Sequence, residues 1–169
     1  VSGPLDIRCD HSDIYFALNT GWIILLARDP QAAYDLNFAA VRIGEHPDVR
    51  LPVMVAYDGF FTSHQKRRIH TFDDPQAVEN FLGRSETPFS ALDPERPVTF
   101  GPYMNDDLIN TKVQLEAKMQ RTYEILPDLF EQYAEVSGRS YSFVERYGPD
   151  DADVVMVMLN TGGETAKDA

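Results

Sequence analysis

Two short, continuously apolar runs separated by one amphipathic segment constrain this chain most. The runs are WIILLA (22–27) and LPVMVAYDG (51–59). An apolar run without polar alternation predicts a strand buried on both faces. Between them, Asp29 stands where a helix N-cap belongs and Pro30 occupies the first helical position, where a missing N–H costs nothing. Ala33, Leu36, Ala40 and Ile43 then recur at helical spacing until Pro47 closes the segment. A strand, a helix of roughly four turns and a second strand form a crossover, which joins parallel neighbours. The chain is therefore expected to be α/β.

The flanking stretches carry weaker signals. HSDIYFALNTG (11–21) reads as a short helix capped by Ser12 and ended by Gly21 in a left-handed conformation. DPQAVENFLG (74–83) has a capped start and a terminal glycine. The Pro-rich stretch 84–102 reads as an extended surface connection. Residues 110–139 are helical in period, with Tyr123, Leu126, Phe130 and Tyr133 on one face. Pro127 is expected to kink or break that helix, and Gly138 to stop it. YSFVERYG (141–148) and ADVVMVML (152–159) read as two further strands, the second strongly buried. The change at Gly138 sets the expected domain boundary.

Composition narrows the function classes. The chain has 169 residues, one domain's worth as a soft prior, and a formal net charge of −12. That charge argues against duplex binding, which depends on cations neutralising phosphates, and against docking on an anionic membrane. The longest apolar run, GWIILLA (21–27), is far too short to span a bilayer. A lone Cys9 excludes an internal disulfide and fits a reducing, cytoplasmic setting. The start lacks an initiator Met and the end stops where a helix should begin, so both ends are expected to be cuts in a longer chain.

Several residues have the chemistry of a site. Ligands of open parallel sheets sit beyond the carboxyl ends of the strands, and Asp58, Gly59, Thr62, Ser63 and His64 occupy that position after the second run. Gly59 permits close backbone approach, Thr62 and Ser63 offer hydroxyls, and His64 an imidazole. The plainer alternative is that Thr62 or Ser63 caps a short helix containing Gln65 to Arg68. Asp10 and His11 form an acid–imidazole pair suited to orienting a ring for proton transfer or a metal, or simply to capping. His46 and His70 read as surface residues, and the four histidines lack zinc-ligand spacing. The basic run QKRR (65–68) is either an anion grip or a solvated helix face. NTGGETAKDA (160–169) places glycines near a helix start without a dinucleotide or P-loop pattern, so Gly162 and Gly163 read as a tight strand-to-helix turn.

In this order, DHSDIYFALNTGWIILLARDPQAAYDLNFAA, LPVMVAYDGFFTSHQ, LDPERPVTFGPYMNDD and GRSYSFVERYGPDDADVVMVMLNTGGETA resemble the 2-oxoacid:ferredoxin oxidoreductases, the pyruvate:ferredoxin oxidoreductase family. The resemblance implies oxidative decarboxylation of a 2-oxoacid on thiamine diphosphate, with electrons passed through iron–sulfur clusters to ferredoxin. In many members coenzyme A takes the acyl group. It implies a thiamine-diphosphate-binding-type parallel sheet with flanking helices, the later part of the pyrimidine-side domain of an alpha subunit, over residues 1–137. Residues 138–169 would begin a transketolase C-terminal-like α/β domain.

A thiamine-binding beta subunit, a gamma subunit and a ferredoxin-like subunit would be partners, supplying the diphosphate–magnesium site and the clusters. The family's pyrimidine-bound glutamate lies upstream of this stretch, so the piece alone is expected to be inactive, with no catalytic residue or metal ligand of its own. From their positions, Asp10 and His11 are expected near the substrate side of the thiamine cleft, and Asp58, Gly59, Thr62, Ser63 and His64 are expected to shape the strand-end loop at the subunit interface. The family's carboxylate-binding Arg has no counterpart in VSGPL (1–5), which leaves Arg8 as the candidate, argues against simple pyruvate specificity, and leaves an aryl-glyoxylate, a branched-chain acid or oxalate open as the substrate. The rivals are a non-catalytic α/β interaction module and another thiamine-dependent transferase subunit.

Overall fold

The computed structural model describes residues 10–85, 90–98 and 107–169. Its centre is the expected crossover: β1 (Ile23–Ala27), α2 (Pro30–Gly44) and β2 (Val53–Tyr57), preceded by α1 (Ser12–Tyr15). The strands pair in parallel, with Ile23 opposite Val53 and Ala27 opposite Tyr57. The helix starts where the sequence says it should, because the Asp29 carboxylate accepts a hydrogen bond from the Ala32 amide at 2.7 Å and Pro30 follows it.

The core forms where α2 covers the sheet and a long helix closes over α2. Ile23, Leu25 and Ala27 of β1 are buried with Ala32, Leu36, Ala39 and Ile43 of α2. Leu126, Leu129 and Phe130 join them from α4 (Leu108–Ser137). Each large aliphatic or aromatic side chain removed from water contributes about 1.5–3 kcal/mol. The predicted strands are less enclosed than their composition suggests. β1 alternates buried and half-buried residues, and β2 is half-buried up to an exposed Tyr57, because no other described strand flanks the pair.

α4 runs unbroken through Pro127, contrary to expectation. Proline removes the bond that the carbonyl four residues earlier, that of Tyr123, would accept. Pro127 and Tyr123 both face solvent, so water can serve that carbonyl. Leu126, Phe130 and Tyr133 are buried as the spacing requires, whereas Tyr123 is exposed against Phe143. α3 (Pro75–Leu82) begins on an Asp74 cap and ends at Gly83, as read.

Four further expectations fail. α1 has one turn only. It is followed by tight turns to Gly21, which is left-handed at φ 89°, and Asp10 rather than Ser12 supplies the side-chain acceptor, taking the Ser12 amide at 2.7 Å. Gln65 to Arg68 form no helix but an exposed, irregular segment. Neither 141–148 nor 152–159 forms a strand. A strand exists by pairing with a neighbour, and neither stretch has one among the described residues. Val154 to Leu159 consequently stand exposed. Gly162 and Gly163 lie inside α5 (Asn160–Asp168), whose first residue, Asn160, takes the left-handed backbone at φ 52°.

A buried carboxylate fastens the chain after α4 to the crossover. Asp35, on α2, accepts hydrogen bonds from Gln31 (3.0 Å), Tyr133 (2.8 Å), Tyr141 (2.6 Å) and both Nε and Nη2 of Arg139 (2.6 and 2.9 Å). Around it Tyr34, Phe38, Phe72, Phe81, Tyr133 and Tyr141 form an aromatic cluster with ring centroids 5.0–6.4 Å apart. Among the described residues no helix is long and apolar enough to cross a membrane.

Candidate functional site

β2 ends at Tyr57, so Asp58 is the first residue beyond the sheet's carboxyl edge. It is buried, at 4% exposure. Its Oδ1 lies 2.9 Å from His11 Nε2, and its Oδ2 accepts the Thr161 amide at 2.7 Å and the Thr161 hydroxyl. Residues from before β1, after β2 and the start of α5 thus meet on one carboxylate. The junction solves a local problem as well. α5 opens after Leu159, which has no capping side chain, and Asp58 supplies the acceptor and negative charge that a helix N-terminus favours.

The turn beyond Asp58 makes a second group. Phe60 takes a left-handed backbone at φ 68°, costly for a side chain of that size. Gly59 does not need the conformational freedom expected of it: its φ is ordinary, and a Cβ there would meet nothing within 4 Å. The Ser63 hydroxyl accepts the Phe60 amide at 2.9 Å and lies 2.6 Å from His64 Nδ1. The His64 ring stacks on Phe60 at 5.5 Å between centroids. Phe60, Ser63 and His64 are exposed, while Thr62 is buried with its hydroxyl unpartnered.

The structure therefore joins His11 to Asp58 and Ser63 to His64. Asp10 turns away into its bond with Ser12, and that amide holds its carboxyl below the usual range. Arg8 lies outside the described residues, as does part of the Pro-rich connection. His70 is exposed and His46 half-buried, its imidazole pushed down chiefly by burial. Lys66, Arg67 and Arg68 are solvated. Thr161 and Phe60 escaped the sequence reading. The signal for Thr161 was negative: an apolar Leu159 where a helix cap belongs, implying an acceptor from elsewhere. Nothing in the local pattern marks Phe60 as left-handed.

An open groove of about 640 Å³ lies elsewhere, between β1, α4 and the segments around residues 140–145 and 157–167. Leu26, Leu126, Phe130 and Met158 give it an apolar floor. Its charged residues pair with one another: Arg28 with Glu145, and Lys167 with Glu145 and Glu164, both at 2.7 Å. The Lys167 ammonium and Arg28 hold the Glu145 carboxyl down against burial. Charges so matched brace the ends of β1 and α5. The groove does not include the strand-end loop. Among the described residues no three His, Cys, Asp or Glu side chains are grouped to hold a metal ion.

Residues 1–135 match the family described as pyruvate flavodoxin/ferredoxin oxidoreductase, thiamine diphosphate-binding. Among curated relatives, the pyruvate synthase subunit PorA of Thermotoga maritima is 41% identical over 99% of this chain and 43% of its own length. The PorA subunit of Methanocaldococcus jannaschii is 36% identical over 99% of this chain and 43% of its own length. A putative pyruvate-flavodoxin oxidoreductase of Synechocystis is 32% identical over 97% of this chain and 14% of its own length. The chain thus spans less than half the length of these relatives. With its parallel crossover and strand-end loop inside the matched region, the chain belongs to the pyruvate flavodoxin/ferredoxin oxidoreductase family, in its thiamine diphosphate-binding domain.

Proposed function

We propose that this chain is the pyrimidine-side part of the alpha subunit of a 2-oxoacid:acceptor oxidoreductase. In that reaction the substrate's carboxylate leaves as carbon dioxide and the remaining electron pair passes to ferredoxin or a similar acceptor. The acyl group goes to coenzyme A or to water. Thiamine diphosphate supplies the electron sink for the decarboxylation. Partner subunits hold its diphosphate and magnesium and carry the iron–sulfur clusters.

The observation that carries this reading is the meeting of His11 and Asp58 at the carboxyl edge of a parallel sheet, where such folds bind ligands. The loop's own exposed residues suit the organic end of the cofactor: the Phe60–His64 stack and the Ser63 hydroxyl. They do not suit the diphosphate–magnesium end, because both Asp58 oxygens are already engaged. His11, held by Asp58, offers a fixed imidazole for orienting the substrate or moving a proton. His64, bonded to Ser63, shapes the exposed rim.

The test is the assembled complex, assayed with a panel of 2-oxoacids and a dye acceptor. His11→Ala and His64→Ala should each lower kcat by at least about tenfold, a larger effect than either has on the stability of the complex. Unchanged kcat in both variants would return these residues to a purely structural part.

A further inference from the structure

We propose that Thr161 is a positioning residue for the candidate site, acting through Asp58 to fix the place of the His11 imidazole. This rests on the reading of His11 as a cleft residue. Sheet pairing holds the Asp58 backbone, since β2 ends one residue earlier, but the plane of its carboxylate is set by its donors. Thr161 gives two of them, amide and hydroxyl, to the same oxygen, a fork that fixes both distance and direction. The other oxygen then meets His11 Nε2 at 2.9 Å. With Asp58 only 4% exposed, charge-assisted bonds of this kind are strengthened.

A positioning element must itself be anchored, and α5 is. Lys167, in its last turn, bonds Glu145 at 2.7 Å, and Glu145 pairs with Arg28 just past the end of β1. The helix is thereby braced to one strand and bonded to the residue following the other. Thr161 lies 103 residues from Asp58 and beyond the span matched by the family. It would couple the segment after residue 138 to the strand-end loop.

The experiment compares Thr161→Val and Thr161→Ser in the assembled complex. Hydrogen exchange is followed by mass spectrometry on peptides covering 10–22 and 159–169, alongside kcat with a 2-oxoacid and a dye acceptor. Valine keeps shape but removes the hydroxyl donor, so exchange in 10–22 should quicken and kcat should fall about threefold to tenfold. Serine restores the donor and should restore both. Faster exchange confined to 159–169, with 10–22 unchanged in the valine variant, would overturn the proposal whatever the rate does. Quickened exchange in 10–22 with an unaltered kcat would uphold the link from Thr161 to His11 and overturn instead the role given to His11.

Discussion

Asp35 accepts five side-chain hydrogen bonds, from Gln31, Tyr133, Tyr141 and twice from Arg139. Burial alone would raise its carboxyl pKa, but bonds from Arg139, Tyr141, Tyr133 and Gln31 outweigh that and hold it below the usual range. The two tyrosine hydroxyls are pushed up in turn, first by burial and then by the bond to Asp35. A carboxyl lowered in the folded state stabilises fully above its unfolded value of about 3.9, and that stabilisation is lost as pH falls through the lower folded value. Asp35→Asn places an amide N–H₂ against donors that now meet an oxygen. It should cost about 3 kcal/mol in urea unfolding near neutral pH. It should also flatten the loss of stability below about pH 4 relative to the parent chain. A parallel acid limb in both proteins would contradict this account. The sequence supplied Asp35 as an unremarkable polar residue in an amphipathic helix; its importance depends on donors about a hundred positions away.

At the scale of elements, α4 gives the sharpest test. A proline in a helix interior is about 3 kcal/mol less favourable than alanine, partly offset by about 1 kcal/mol from a stiffer unfolded chain. Pro127 is exposed, so no packing is lost when it is replaced. Pro127→Ala should therefore stabilise the chain by about 1–2 kcal/mol in denaturant titration. A destabilised variant would mean that the proline ring makes stabilising contacts of its own. The local code was legible for α2, α3, β1 and β2, because Asp-Pro starts, apolar spacing and terminal breakers all act within a few residues. It misled at 11–21, where short-range turn bonds replaced most of the helix, and at 65–68, where no buried face rewarded helix formation.

For the molecule as a whole, the apolar stretch Val154 to Leu159 stands out as exposed, with Val157 at 88%. Apolar, and unpaired among the described residues, it is the kind of segment that templates strand pairing between molecules. The net charge of −12 opposes such association, and salt screens that opposition. The isolated chain should scatter light increasingly as salt is raised, and Val157→Lys should suppress the increase. Salt-independent scattering in both would assign association to another surface.

The sequence by itself determined the parallel crossover, the caps that begin α2 and α3, and the residue types gathered around the strand-end loop. Those follow from steric and hydrogen-bonding rules that operate over a turn of helix or a pleat of strand. Only the tertiary structure decided that His11 and Thr161 share the Asp58 carboxylate, that Asp35 draws Arg139 and Tyr141 onto α2, and that 152–159 finds no strand partner among the described residues. Each of these depends on a partner distant in the chain, and a buried charge or an extended backbone has no settled state until such a partner is in place or absent.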